Sequence, residues 1–300
     1  MRASKECLAC LEDLTKRTAG LAVSDLQKRE EVLFKSISFL KRNFSLDLAP
    51  AYLAGEIQRN IRKAGKNEDP FAAVKEKEMS IARRIAGDLG EKLENNLDSL
   101  INFAALGNSL DFFMDPDTLQ DELSKPVKLA INDVDRLQDI LVYYGKCQDR
   151  KKILYFADNT GECFFDLPLL TYLEKYTDVF YVVKESPVQN DLTLHDLTQS
   201  GIREKFYRVA TTGTDSPGLD LDNASPEFSR LIGQADLLFA KGMGYYETLP
   251  ELCLSKTTFF LLKTKCHPIA NSLKVPLNSY VGLLEEIFRK LPGLTVEKYR

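Results

Sequence analysis

After Lys151 the chain repeats one pattern, and that pattern limits the fold more than any other feature. A short apolar run rich in β-branched and aromatic residues is followed by a segment long enough for a crossover helix. The runs are KILYFA (152–157), VFYVV (179–183), FYRVA (206–210), DLLFA (236–240) and TTFFLL (257–262). None alternates strictly between apolar and polar residues, as expected of strands covered on both faces. Strand, crossover and strand repeated in this way give a parallel sheet with right-handed connections. The expected fold is α/β, with a doubly wound, largely parallel sheet.

The first 150 residues have a helical period instead. Cys7, Cys10, Leu11, Leu14 and Thr18 recur at helical spacing. Asp25 is placed to cap a second helix, whose face carries Leu33, Ile37 and Leu40. Pro50 stands where a third helix begins, running through Tyr52, Ile57 and Ile61 to Gly65. Residues 71–87 and 91–106 continue the pattern, with the polar stretch 66–70 and Gly90 as interruptions. Asp115-Pro116 and Lys125-Pro126 bracket a loop-rich patch, and a further helix is expected near 127–145. The expected organisation is a helical N-terminal bundle, 1–150, and a Rossmann-like α/β domain, 151–300, carrying a ligand site.

Three hundred residues with 44% hydrophobic content suffice for a substantial core. A formal net charge of −4 lacks the surplus of Lys and Arg that a general affinity for nucleic acid requires. There is no apolar run of about eighteen residues, and MRASKECLAC lacks the apolar core of a signal peptide. A cytoplasmic protein with no membrane or nucleic-acid partner is expected. The spread of the 6 cysteines does not resemble the disulfide framework of a small secreted domain.

In open parallel sheets, ligands bind beyond the carboxyl ends of the strands. Here those ends carry Asp158-Asn159-Thr160-Gly161-Glu162, Lys184-Glu185-Ser186-Pro187 with Asn190-Asp191, Thr211-Thr212-Gly213-Thr214, Lys241-Gly242-Met243-Gly244, and Lys263-Thr264-Lys265-Cys266. Asp158, Asn159 and Asp191 are hard oxygen donors suited to a divalent cation: Mg²⁺ or Mn²⁺ by donor type, with Co²⁺ and Ni²⁺ as further candidates. Lys241, Lys184 and Lys263 offer charge to a phosphate. Gly213, Gly242 and Gly244 permit close backbone approach. Glu162, Asn190 and Thr212 complete the candidate substrate set. Singly, each has an ordinary structural use as helix cap, turn former or solvated charge. Their coincidence in successive loops points to a phosphoester site.

KGMGYYE lacks the third glycine of a dinucleotide fingerprint and follows the wrong strand. No Walker-type loop and no Gly-x-Ser-x-Gly elbow is present.

DNTGECFFDLPLL (158–170) resembles the Asp-Asn-x-Gly-Glu-x-x-x-Asp signature of the damage-control phosphatases, a family of metal-dependent enzymes. VVKESPVQNDLT (182–193), TTGT (211–214), AKGMGYYETL (240–249) and FLLKTKC (260–266) are similar to its later motifs, in the same order. LGNSLDF (106–112) resembles its Gly-Asn-x-x-Asp element, and ECLACL (6–11) the N-terminal Cys-x-x-Cys of its archaeal and bacterial branch. The resemblance implies metal ligation by Asp158, Asn159 and Asp191. It also implies a phosphate or substrate role for Lys241 and Lys263, with Asn108 reaching in from the helical part. Two residues depart from the family pattern: Glu185 stands where glycine is common and Tyr245 where asparagine is common. Members act on phosphometabolites, including sugar phosphates and phosphopantetheine compounds.

The expected reaction is hydrolysis of a small phosphorylated metabolite by a metal-activated water, with Asp158, Asn159, Asp191 and Lys241 as the catalytic set. Glu162 or Asp191 is expected to handle protons. The alternative is a non-catalytic regulator that binds a nucleotide or phosphometabolite. Against it, two carboxylates beside an anion repel it unless a cation intervenes. Cys7 and Cys10, with Cys266 and His267, are a candidate second metal site, core packing being the alternative. His195 would share a helical face with Asp191. Tyr143, Tyr144, Phe112 and Phe113 are candidate pocket aromatics.

Overall fold

The computed structural model describes residues 1–109, 126–252 and 254–286 of the chain. Phe112, Phe113 and Asp111 of the Gly-Asn-x-x-Asp element lie outside the described residues, as do Asp115-Pro116 and Lys125.

Helices α1 (Lys5–Ala22), α2 (Leu26–Asn43) and α3 (Pro50–Gly65) form a bundle with its own core of Leu11, Val32, Leu40, Ile57 and Ile61. Its boundaries follow from capping chemistry. Ser4 accepts from Glu6 N at 3.2 Å, and Asp25 accepts from Lys28 N at 2.7 Å. Pro50 opens α3 where a missing N–H costs nothing, and Lys66 closes it in a left-handed conformation with φ 54°.

Helices α4 (Ala72–Gly90) and α5 (Leu97–Gly107) follow. The chain then enters a sheet, of 7 strands among the described residues, through β1 (Leu129–Asn132) before helix α6 (Val134–Lys146). The helix expected from 127 thus begins only at Val134, because Leu129 and Ile131 pair with the far edge of the sheet.

Beyond α6 come β2 (Lys152–Phe156), α7 (Cys163–Leu173), β3 (Asp178–Val183), α8 (Leu194–Gln199), β4 (Val209–Thr211), α9 (Pro226–Gln234), β5 (Leu237–Lys241), α10 (Met243–Thr248), β6 (Thr257–Lys263), α11 (His267–Leu273) and β7 (Tyr280–Glu285). The spatial order is β1-β7-β6-β5-β2-β3-β4. Strands β2 to β6 are mutually parallel, as the repeating pattern requires. β7, which that pattern does not contain, returns antiparallel to β6, and β1 runs parallel to β7. The strand expected over 206–210 is shorter and later, since Phe206 stacks on Tyr181 at 4.7 Å rather than joining the ladder.

Alternate side chains of each central strand feed different cores. Ile153, Tyr155, Tyr181, Leu237 and Phe239 pack with α5, α6 and α7 on one face. Leu154, Phe156, Val182, Leu238 and Phe260 pack with α9, α10 and α11 on the other. Burial on both faces is why the strands read as continuous apolar runs, each large side chain contributing roughly 1.5–3 kcal/mol. Strand order reverses between β2 and β5, so the loops after these strands part and leave a crevice at their carboxyl ends. Among the described residues no helix is long and apolar enough to cross a membrane.

Candidate functional site

β2 delivers Asp158 to that crevice, and Asn159 starts a short 3-10 turn, Thr160–Glu162. Leu192 N donates to Asp158 O at 2.9 Å, and Asn159 forms an antiparallel bridge with Asp191. Backbone pairing therefore brings together the three residues singled out as oxygen donors. Asp158 Oδ2 accepts from Asn108 Nδ2 at 3.0 Å and from Asn159 Nδ2 at 3.2 Å. Burial, reinforced by the Glu162 and Asp191 carboxylates, pushes the Asp158 carboxyl well above the usual range. Gly242 presses its backbone against that carboxylate: a β-carbon there would lie 2.6 Å from Oδ1 and nearer still to the rest of the group.

Asn108, at the end of α5, spans the site. Besides Asp158, its Nδ2 reaches Glu162 Oε1 at 2.9 Å, while its Oδ1 accepts from Lys263 N at 2.9 Å. One carboxamide thus joins α5 to the ends of β2 and β6.

Beneath this floor lies a sealed charge cluster. Lys241 Nζ, with no exposed surface, pairs with Glu162 Oε2 at 2.5 Å and Asp166 Oδ1 at 2.8 Å and donates to Ala104 O at 2.8 Å. The hydroxyls of Tyr155 and Tyr181 donate to Asp166 at 2.8 and 2.9 Å. Burial alone would raise Glu162, but Lys241, Lys265 and the Asn159 hydrogen bond together outweigh it and hold this carboxyl low. Burial likewise opposes the Lys241 charge, and Asp166 and Glu162 more than restore it. The ammonium is engaged below the floor by two hydrogen bonds and the Glu162 ion pair, so Lys241 does not reach the phosphate position expected of it. Glu162, enclosed by Asn108, Asn159 and Lys241, is likewise turned away from the cavity.

Lys184 is buried too. It donates to Gly218 O at 2.6 Å and Tyr245 Oη at 2.9 Å, and lies 3.7 Å from Asp191 Oδ2. Burial lowers its pKa against the pull of Asp191. Burial also raises Asp191, to about 6, with Lys184 and Lys75 opposing. Tyr245 stacks on Phe156 at 5.0 Å, so this departure from the family pattern is a core residue holding Lys184. Glu185, the other departure, accepts a hydrogen bond from the Thr211 hydroxyl.

Several expected residues sit elsewhere. Asn190 turns its carboxamide to Glu78 at 3.1 Å, while its carbonyl accepts from Thr160 N at 2.9 Å. Thr212 and Gly213 form a turn in which Thr214 N donates to Thr212 Oγ1 at 3.2 Å and Gly213 has φ 77°, packed on Ser225. The Lys263 ammonium lies 5.2 Å from the centre of the Tyr280 ring. His195 is exposed on α8. Tyr144 donates to Asp236 O at 3.3 Å and the Tyr143 ring lies tilted beside it, both at the amino end of β5, away from the crevice.

Above the floor is a cavity of about 450 Å³. Asn108, Asp158, Asn159 and Asp191 line its base, and Leu11, Leu14 and Ala54 of the bundle line its wall. Cys7, Cys10, Cys266 and His267 also line it. Among the described residues, however, no three His, Cys, Asp or Glu side chains are arranged to hold a metal ion. In the expected cysteine set, Cys7 Sγ accepts from Ser4 N at 3.3 Å, and burial raises the Cys10 and Cys266 thiols, the latter to about 11. The Asp158, Asn159 and Asp191 set differs in taking a carboxamide as its third donor.

Lys265, Gln189 and Glu247 line the cavity without having been chosen as site residues. Lys265 could have been found by its place two residues beyond Lys263, near enough to lower Asp158 electrostatically. Glu78 carries no local signal, since only tertiary packing of α4 buries it beside Asn190 and raises its carboxyl well above normal.

The damage-control phosphatase ARMT1-like domain model matches residues 3–281. Damage-control phosphatase PH1575 of Pyrococcus horikoshii is 33% identical over 287 residues, 94% of this chain and 97% of that protein. A damage-control phosphatase of Archaeoglobus fulgidus is 27% identical over 297 residues, 95% and 100% of the two chains. The crystal structure of the DUF89 family protein PH1575 from P. horikoshii at 2.04 Å resolution matches with a TM-score of 0.82 at 30% identity, covering 94% of this chain and 99% of that one.

Proposed function

Because the chain belongs to the damage-control phosphatase ARMT1-like family, we propose that it hydrolyses a small phosphomonoester in this cavity, with a divalent cation held by Asp158, Asn159 and Asp191. One observation carries this reading. Asp158 is a half-buried carboxylate that receives hydrogen bonds from two neutral carboxamides and lies in the field of Glu162 and Asp191. Lys265 and Lys241 only partly offset that field; a bound cation would hold the group charged, and the hard oxygens around it suit Mg²⁺ or Mn²⁺. Gly242 fits the same reading, because a larger residue would occupy the space of the carboxylate itself.

A cation bound there supplies a Lewis-acidic centre for a phosphate oxygen and lowers the pKa of a water. The protein's own residues do the rest. Lys265 faces the cavity and balances phosphate charge. Gly244, also on the wall, lets a ligand approach the backbone. Asn108 and the buried Lys241 fix Asp158 and Glu162 so that they do not reorganise as charge develops. Of the two carboxyls considered for proton handling, only Asp191 lines the cavity. Sugar phosphates and related metabolites are the substrate class to test first.

The decisive assay measures phosphate release from sugar phosphates, nucleotides and phosphopantetheine compounds with Mg²⁺, Mn²⁺, Co²⁺ or Ni²⁺. Metal-dependent turnover abolished by Asp158→Ala is expected. Full activity in that variant, or in excess chelator, would refute the site.

A further inference from the structure

Residues 188–191 form a tight turn in which Asp191 N donates to Val188 O at 3.1 Å. Gln189 occupies its first central position with φ 48°. Turns with positive φ at that position favour glycine, asparagine or aspartate, and a long side chain is strained there. Local backbone preference therefore does not account for glutamine. Its side chain has no hydrogen-bond partner among the described residues. It is not idle surface either, because Gln189 lines the cavity beside Asp158, Asn159 and Asp191.

The other carboxamides on the cavity are committed. Asn108 spends Nδ2 on Asp158 and Glu162 and Oδ1 on Lys263 N. Asn159 spends Nδ2 on the same two carboxylates and is a proposed metal donor through its oxygen. Gln189 is the carboxamide left to meet a ligand. A neutral group that both donates and accepts is poorly matched to a phosphate dianion, which only accepts, and well matched to a hydroxyl. On the bundle side of the cavity Leu11, Leu14 and Ala54 present apolar surface, and Glu6 is the charged residue among them.

We propose that Gln189 is a specificity-determining residue that hydrogen bonds a hydroxyl on the organic part of the substrate, held in a strained backbone conformation for that purpose. The proposal rests on the phosphatase reading above and narrows its substrates to hydroxylated phosphomonoesters.

The test compares wild type, Gln189→Gly and Gln189→Asn in Mn²⁺ on two esters. One is a hydroxylated phosphate such as a hexose or glycerol phosphate. The other is phenyl phosphate, which has no hydrogen-bonding group beyond the phosphate. In Gln189→Gly the ratio of kcat/KM for the hydroxylated ester to that for phenyl phosphate should fall roughly tenfold, the scale of one neutral hydrogen bond, mainly through KM. The same variant should melt no lower than wild type, since glycine relieves the backbone. Gln189→Asn, which tolerates the turn and keeps a shorter carboxamide, should retain part of the ratio. An unchanged ratio in the glycine variant of an otherwise active enzyme overturns this proposal alone. A wild-type protein that cleaves neither ester overturns the phosphatase reading and this inference with it.

Discussion

Gly242 and the carboxylate of Asp158 occupy adjoining space so closely that no β-carbon fits between them. At φ 82° the glycine is also in backbone territory that other residues rarely adopt. Gly242→Ala must therefore displace Asp158 or the start of α10. Phosphate release should fall about 100-fold, the cost of a misplacement near 1 Å. Turnover and melting temperature measured together check this, with activity losing far more than stability.

Lys241→Met would leave Glu162 and Asp166 buried without their ammonium partner. Removing one member of such a cluster costs about 3–5 kcal/mol. Urea unfolding should show that loss, and adding Asp166→Asn should recover part of it, because the two sites are coupled.

Removal of metal should be visible without any substrate. Protein stripped by chelator should melt higher when Mn²⁺ is returned, by about 2.7 kcal/mol of added stability at one hundred times Kd. Asp191→Asn should largely erase that response in a thermal-shift titration, since its carboxylate is one of two proposed anionic ligands.

Glu247 gives a pH signature separate from the metal. Burial raises its carboxyl from 4.5 to about 7, with the chain's amino terminus opposing. The folded protein thus binds a proton there more tightly than the unfolded chain. That contribution to stability is full below about 4.5 and is lost as pH rises through about 7. Melting curves of metal-free protein between these values should decline more steeply for wild type than for Glu247→Gln.

The parallel strands were legible because burial on both faces erases alternation, leaving runs such as KILYFA. Their carboxyl ends pointed to Asp158, Asn159 and Asp191, which the β-bridge does bring together. Asp25 and Pro50 marked helix starts through local chemistry that survives into the fold. The edge strands were not legible. β1 has four residues, and β7 carries Gly282 packed against Leu129 and Phe259, a contact that exists only once the sheet has closed. The inward turn of Lys241 was illegible for another reason. A lysine at a strand end can turn toward the cavity or down into the core, and Asp166, together with the tyrosines that anchor it, decides this for Lys241. Sequence position alone does not encode that choice.

The bundle is fastened to the same loops that carry the proposed ligands. Arg59 reaches Asp215 Oδ1 at 2.8 Å, and Arg62 binds both Asp215 and the carbonyl of Pro187, two residues before Gln189. Lys75 of α4 clamps Asp196 at 2.9 Å, just beyond Asp191. The helical half is therefore a brace. Loosening α3 would slacken the turn that presents Gln189 and Asp191 at the same moment that it opened the wall of the cavity, so mild denaturant should silence the enzyme while the sheet beneath still stands.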